Sequence, residues 1–552
     1  MKLIALLLHH FKFSFFAVLI FSLASAAIAV LILAFINQRM IQNASVIEEV
    51  IIQFSGLLVV LFMVSAITQV TMTSTGHRLV YQLRRALVKR VLDTDLERLE
   101  LLGPAQIMAA LNTDIRNIAA AFISLPVAIF GITLIIGGFF YLAWLSWPLF
   151  IAISIWLSLT VVIGWLLLKR THLQACLARD VEGRLYENYQ AIIEGRKELA
   201  LNRARARYLY ECEFDSNARD SLGYETKADI FNGVNENWVN SMILGAIGLS
   251  FFLAHGFGWA DAGVAATYAL VILFLRTPLT AVVSSIPRIV IGNVSVANLE
   301  ALELPDYKVE FALPQVNLPE NWRNLHLDSV TYSYPGVDEH EGFAIGPLEL
   351  SLCRGETIFL IGGNGGGKTT LARLLTGLYR PHAGRIHMDG LLIDEHCQSS
   401  FRRLFSAVFA DFHLFDQFLD ESGQCAETET IHYWLNILQM TGKAQIQGGR
   451  LRTECLSQGQ RKRMALLLAI LENRPVLVLD EWAADQDPAF RSVFYNRILP
   501  ELKAAGKTIL AITHDEHYFY MADRLLKIDG GQLLELKRRQ THTSYEFIEP
   551  VR

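Results

Sequence analysis

Six apolar runs occupy the first half of the chain, near Phe13–Ile36, Ile51–Met72, Ala121–Ala143, Pro148–Leu168, Val239–Ala254 and Val264–Val283. Most can cross a bilayer: a hydrocarbon core of about 30 Å needs about 20 residues at about 1.5 Å of helical rise each. Inside lipid every backbone N–H and C=O must be satisfied within the protein, so these runs are expected to be helices. The fifth is short, and composition does not fix its ends. For the first run the alternative is a signal peptide cleaved near Ala24-Ser25-Ala26. The apolar stretch continues ten residues past that point, beyond the apolar core of about 7–15 residues that a signal carries, which favours a membrane helix.

Lysine and arginine set the orientation. Arg78, Arg84, Arg85, Lys89, Arg90, Arg98 and Arg116 stand between runs two and three, and eleven more, from Lys169 to Lys227, between runs four and five. The loops on the other side hold only Arg39. This bias places both termini and the two long loops in the cytoplasm. Trp144, Trp147 and Trp259 fall at the outer turns, as an aromatic belt requires. Within the loops, Leu83–Glu100 and Arg184–Arg207 mix apolar and charged residues at helical spacing, predicting helices that continue into the cytosol and turn over near Gly103–Asp114 and Tyr186–Asn202.

After Val296 the apolar runs stop. Pro305, Pro314 and Pro319 mark a linker over 304–321 between a membrane domain, 1–303, and a soluble domain, 322–552. In the latter, short apolar strands alternate with helical segments, the pattern of an α/β fold on a mostly parallel sheet. With 49 Lys+Arg against 54 Asp+Glu, no nucleic-acid partner is expected. Six cysteines without a C-x-x-C pair, Cys176, Cys212, Cys353, Cys397, Cys425 and Cys455, indicate neither a zinc site nor a disulfide framework.

Gly362-Gly363-Asn364-Gly365-Gly366-Gly367-Lys368-Thr369 matches G-x-x-x-x-G-K-[ST] in full, and Thr370 follows. Backbone N–H groups can close around phosphate oxygens only where side chains are absent. Lys368 would then reach the β/γ-phosphates, and the Thr369 hydroxyl would bind Mg²⁺. A glycine-rich linker is the bland alternative. It is disfavoured by an apolar strand, Thr357–Ile361, before the loop and a helical run, Thr370–Leu378, after it. A second buried strand, Val476–Leu479, ends in Asp480-Glu481, where an open α/β sheet collects its ligands. Asp480 can hold Mg²⁺ through water, and Glu481 can orient or deprotonate an attacking water. Between the two motifs, Leu456-Ser457-Gln458-Gly459-Gln460 opens a basic, then apolar, helical run; alone it reads as a capping box from Ser457 to Gln460.

In combination these segments resemble an ABC exporter half-transporter over nearly the whole chain. Leu456–Gln460 is similar to the family signature, with Gln458 at its third-position glycine. Tyr334 in Val330–Pro335 matches the aromatic that stacks on adenine, His514 in Thr508–Asp515 the switch histidine at the γ-phosphate, and Asp487 the D-loop aspartate. One departure stands out: Ala410 occupies the Q-loop glutamine position, and the adjacent Asp411 is the candidate substitute at Mg²⁺. The resemblance implies an all-α membrane domain of six spans fused to a P-loop α/β domain that binds ATP and Mg²⁺. It further implies a homodimer, in which each ATP lies between the phosphate loop of one subunit and the signature of the other. The expected setting is the bacterial inner membrane.

The blocks Glu194–Leu199, Leu275–Leu279 and Asp480–Pro488 resemble the branch exporting cyclic peptides and siderophore peptides, which implies a peptide substrate and leaves an outer-membrane channel as a further candidate partner. Arg276, inside the sixth run, and Asn237 and Asn240, near the start of the fifth, are candidate cavity residues, with snorkelling and helix capping as their alternatives. A lipid flippase and an ATP-gated channel or regulatory membrane subunit are the rival functions.

Overall fold

The computed structural model describes residues 2–42, 47–308, 318–319, 321–335, 342–444, 446–447, 450–451, 456–538 and 545–547; most of the linker and Cys455 lie outside them. The chain divides into two compact units, Met1–Val88 with Ala105–Leu304, and Lys89–Pro104 with Pro305–Arg552. The five described cysteines are free thiols.

The first unit is helical: α1 (Lys2–Phe35), α2 (Ile47–Leu92), α3 (Leu96–Ala109), α4 (Ile115–Leu145), α5 (Trp147–Glu194), α6 (Arg196–Leu201), α7 (Arg203–Tyr208), α8 (Asp215–Phe257) and α9 (Ala262–Ala301), with α2 and α3 running into the second unit. Among the described residues, six segments are long and apolar enough to cross a membrane. Helix α4 packs along α9, and α5 along α8. The 46 residues of α2 and 48 of α5 reach about 70 Å each, far more than a bilayer needs. The short fifth run belongs to a 43-residue helix, because α8 begins in the polar stretch from Asp215 and ends only at Gly258, whose left-handed backbone (φ 68°) closes it. Polar side chains bind the π-helical turn Ile36–Gln42 that follows α1 to α4 and α9: Thr267 Oγ1 donates to Asn37 Oδ1 (2.6 Å), Asn37 Nδ2 to the Tyr141 hydroxyl (2.9 Å), and the Tyr268 hydroxyl to the carbonyls of Leu142 and Ser146.

Both loops reverse near the expected stretches. The second falls within the expected stretch, where Gly195 and Asn202 bracket α6 and the Asn202 side chain caps α7. The first begins ahead of Gly103–Asp114, with one corner at Thr94-Asp95 between α2 and α3. Its second corner is Gly103, whose non-helical backbone (φ 73°, ψ 154°) ahead of Pro104 separates two helical stretches within α3.

The second unit is built on a seven-stranded sheet, in the order Tyr545–Phe547, Gln532–Arg538, Arg524–Asp529, Thr357–Ile361, Thr508–Ile512, Val476–Asp480, Phe405–Val408. The last five run parallel. A four-stranded antiparallel sheet, Ala344–Cys353, Asn324–Ser333, Ala383–Met388, Leu391–Leu392, accompanies it. Val476–Asp480 and Thr508–Ile512 are buried throughout, as strands covered on both faces must be. One apolar core, with Leu327, Leu350, Ile358 and Leu371, packs beneath the antiparallel sheet; another, with Trp434, Leu466, Trp482 and Phe494, covers the opposite face. Ile512 is in register with both Leu360 and Asp480, so three strand ends lie level and release Gly362, Glu481 and Thr513-His514 side by side.

Candidate nucleotide site

At those strand ends lies a cavity of about 510 Å³, lined by Tyr334, Phe343, Gly363–Thr370 and Glu481. The loop backbone makes it possible. Gly362 has φ 154°, and a Cβ there would fall 2.2 Å from the Ile528 carbonyl oxygen, so no other residue fits. Gly367, also left-handed (φ 103°), starts the helix Lys368–Leu375 and directs its free N–H groups toward the cavity. The Lys368 ammonium donates to the carbonyls of Gly362 (2.9 Å) and Gly363 (3.1 Å) and lies 3.6 Å from Glu481 Oε1, a buried positive charge held inside its own loop.

Thr369 Oγ1 donates to Asp480 Oδ2 at 2.9 Å. Burial raises the Asp480 carboxyl above its ordinary value, and the Thr369 hydroxyl pulls it back. The Ala410 backbone N–H also reaches Asp480, so the chain retains a contact from this loop although the side chain at 410 is a methyl group. Asp411 instead faces Arg373 (Oδ2 to Nη2, 3.6 Å) and is largely exposed. The described residues hold no cluster of three or more His, Cys, Asp or Glu fit for a metal, so a divalent ion here would draw most of its ligands from phosphate and water. A hydroxyl beside one buried carboxylate, next to a phosphate-sized glycine cradle, suits Mg²⁺ bound in that way.

Glu481 takes φ 48°, ψ 35°, a conformation costing a non-glycine residue about 1–3 kcal/mol. Its N–H donates to the Ile512 carbonyl and its own carbonyl accepts from Lys462 Nζ (2.9 Å), which hold the turn. The result projects the carboxylate into the cavity, 3.3 Å from His514 Nε2. The Tyr334 hydroxyl is 3.1 Å from Thr370 Oγ1, and its ring packs edge-on against Tyr332 and Tyr379.

Leu456–Gln460 does not line this cavity. Ser457 and Gln460 form a reciprocal capping box at the start of the helix Gln458–Leu471, the local reading that the spacing offered. Gly459 is required by space: a Cβ would lie 2.9 Å from the Asp485 carbonyl oxygen. Asp487 caps Pro488–Val493 through Phe490 N–H (2.9 Å), and that bond, then Arg463, holds its carboxyl below the usual range. In the first unit, Arg276 and Asn237 are exposed and Asn240 half-buried, on two different helices.

Several supporting residues escape local sequence patterns. Lys462 and Arg463 are buried: Lys462 bridges the Glu481 carbonyl and Asp485 (2.8 Å), while Arg463 reaches Gln486, Asp487 and the Leu438 carbonyl. Within the second unit, Lys89–Pro104 is anchored by Asp95 to Arg380 and Arg402, Glu97 to the Arg380 N–H, and Glu100 to Arg373 and the Tyr379 hydroxyl. Tyr379 meets Tyr334 edge-on, which ties this loop segment to the cavity wall. The double variant Glu97→Ala/Glu100→Ala is expected to retain ATP hydrolysis within about threefold while losing its stimulation by transported substrate. Paired ATPase and transport assays measure it, and unchanged coupling would refute this role for the segment.

Comparison with known proteins agrees with this geometry. Residues 345–484 match the family model described as ABC transporter. The chain is 32% identical over 531 residues, 94% of its length and 93% of the relative's, to the ATP-binding protein SyrD of Pseudomonas syringae pv. syringae. It is 26% identical over 497 residues to an ATP-dependent lipid A-core flippase of Thiobacillus denitrificans, covering 87% of this chain and 84% of that one. In fold it is similar to a bacterial Atm1-family ABC exporter solved with ATP bound, at TM-score 0.69 and 18% identity over 95% of each chain. A full-length relationship at this identity, six membrane-length helices and an ATP-binding α/β unit in one chain leave a single conclusion: the protein belongs to the ABC transporter family and couples ATP hydrolysis to transport.

Proposed function

We propose that two copies of this chain form an exporter of a peptide, cyclic, lasso-shaped or siderophore-related, across the bacterial inner membrane, with both termini and the ATPase domain in the cytoplasm. The observation that carries the energetic half is the meeting of Lys368, the Thr369–Asp480 pair and the Glu481–His514 pair at one cavity. Tyr334 stacks on adenine, Gly362–Thr370 and Lys368 hold the phosphates, and Thr369 and Asp480 hold Mg²⁺, with Asp411 reaching it through water. Glu481 accepts the proton of the attacking water, and His514 contacts the γ-phosphate. Leu456–Gln460 and Asp487 act on the ATP of the second copy, in keeping with their place outside the cavity of their own chain.

For the substrate, support comes from Glu194–Leu199, Leu275–Leu279 and Asp480–Pro488, which resemble the corresponding blocks of YojI, an inner-membrane exporter associated with the lasso peptide microcin J25, and more distantly those of the pyoverdine exporter PvdE. Arg276, Asn237 and Asn240 are the proposed cavity residues, and an outer-membrane channel would complete the route outward. A lipid flippase is the second reading, favoured by the flippase relative that spans most of the chain.

The test is ATP-driven uptake into inverted vesicles containing only this protein. Accumulation of a lasso peptide at least about tenfold above a Lys368→Ala control, with no movement of a labelled lipid, is the expected result. Lipid movement without peptide uptake would replace the proposal by a flippase, and ATP-gated leakage of both would replace it by a channel.

A further inference from the structure

The block Asp480–Pro488 is followed by a residue the nucleotide site does not use. Arg491 lies one turn into the helix that Asp487 caps, and it does not line the cavity. Its Nε donates to the Gln486 carbonyl at 3.0 Å, and its Nη1 to Asp515 Oδ1 at 2.9 Å. The second carboxylate oxygen of Asp515 accepts from the Tyr495 hydroxyl at 2.9 Å. That hydroxyl also meets Thr513 Oγ1 at 2.7 Å, and Thr513 Oγ1 accepts the Asp515 N–H at 3.1 Å. Tyr495 is buried and stacked on Tyr518, with centroids 4.2 Å apart. Both oxygens of Asp515 are therefore engaged by side chains anchored elsewhere.

Asp515 immediately follows His514. The His514 side chain is half exposed, and Glu481 is its hydrogen-bond partner among the described residues. What fixes the imidazole is consequently the backbone on either side of it, Thr513 and Asp515. From the other end, Gln486 donates through Nε2 to the Gly459 carbonyl (3.0 Å) and accepts through Oε1 from Arg463 (2.8 Å). One guanidinium thus joins the segment that supports Gly459 to the residue that holds His514.

We propose that Arg491 is a positioning residue for hydrolysis: through Asp515 it sets where His514 stands beside Glu481, and through the Gln486 carbonyl it fixes that position relative to the start of the signature helix. The inference rests on the reading of Glu481 and His514 as the hydrolytic pair. Because Arg491 touches no part of the cavity, it acts on the chemical step and not on ATP binding. A shift of about 1 Å in a reacting group can cost about 100-fold, so loss of this link should be visible in kcat.

The experiment compares full-length protein in lipid vesicles carrying Arg491→Gln, Asp515→Asn, both together, Arg491→Lys or His514→Ala. The readouts are kcat, KM for ATP, equilibrium binding of a fluorescent ATP analogue, and the thermal midpoint. Arg491→Gln and Asp515→Asn are each expected to lower kcat about 10–100-fold with KM and analogue binding within about twofold. The double variant should be no worse than either single, as for two ends of one link, and Arg491→Lys should recover part of the loss. Unchanged kcat in both singles, beside an inactive His514→Ala, would overturn the inference and leave the hydrolytic pair standing. A parallel fall in kcat, analogue binding and thermal midpoint would also overturn it, marking Arg491 as structural. Full turnover by His514→Ala would remove the pair itself and the inference with it.

Discussion

Replacing Glu481 by glutamine is expected to lower kcat for ATP hydrolysis by about 10²–10⁴-fold while ATP remains bound and holds two copies of the chain together. The two adjacent carboxylates differ in what they are free to do. Asp480 is buried and occupied by Thr369 Oγ1, whereas Glu481 lines the cavity and faces Lys368 and His514. Glutamine has the same shape and can occupy the same turn, since the backbone there is held by Ile512 and Lys462 and not by the carboxylate. It keeps a hydrogen-bond acceptor but loses the basicity needed to take a proton from water. Phosphate release, binding of a fluorescent ATP analogue and the molecular mass in ATP separate the three consequences. Full turnover by Glu481→Gln would end its assignment as the base. A fall in ATP affinity matching the fall in kcat would mean that the substitution had damaged the phosphate cradle.

How much of this was legible in the sequence follows from the range of the interactions involved. The phosphate loop could be read because its requirements are local: glycines at Gly362 and Gly367, a strand before them and a helix after. The buried run Val476–Leu479 was readable for the same reason, and its level placement beside Thr508–Ile512 follows once both are strands of one parallel sheet. In the first loop Gly103-Pro104 carries the local signature of a turn and supplies one corner, whereas the corner at Thr94-Asp95 has no such signature. Asp95, by contrast, gains its meaning from Arg380 and Arg402, some 300 positions away in the chain. The fifth span looked short because hydropathy sees only the apolar portion of α8, whereas helix length is set by its caps. Gln460 could be assigned to a capping box from its spacing to Ser457 alone, and the structure contains that box.

Arg463→Ala is expected to destabilise the nucleotide-free protein by about 1–3 kcal/mol, chiefly the cost of leaving the buried Gln486 amide oxygen without its donor. In sequence, Arg461, Lys462 and Arg463 are the basic start of the helical run and are not distinguished from one another. The structure separates them: Arg463 is 8% exposed, while Arg461 is half-buried and its side chain has no partner among the described hydrogen bonds and ion pairs. The guanidinium lies 3.5 Å from the centroid of the Phe490 ring and donates to Gln486 Oε1, Asp487 Oδ2 and the Leu438 carbonyl. Burial lowers its pKa, and Asp487 opposes that shift. Alanine would leave all three acceptors without this donor and open a void beneath Phe490. Lysine would not replace it, because an ammonium cannot present the planar fork that serves Gln486 and Asp487 together. For a domain of this size the loss corresponds to about 2–4 °C in the thermal midpoint per kcal/mol, whereas Arg461→Ala should stay within about 0.5 kcal/mol of the parent. Thermal unfolding of the full-length chain in detergent compares the two substitutions directly. Equal midpoints would show that the helix Gln458–Leu471 is held by its apolar face alone; a large gap would show that the orientation of Gly459 depends on an arginine that its neighbours in sequence make look dispensable.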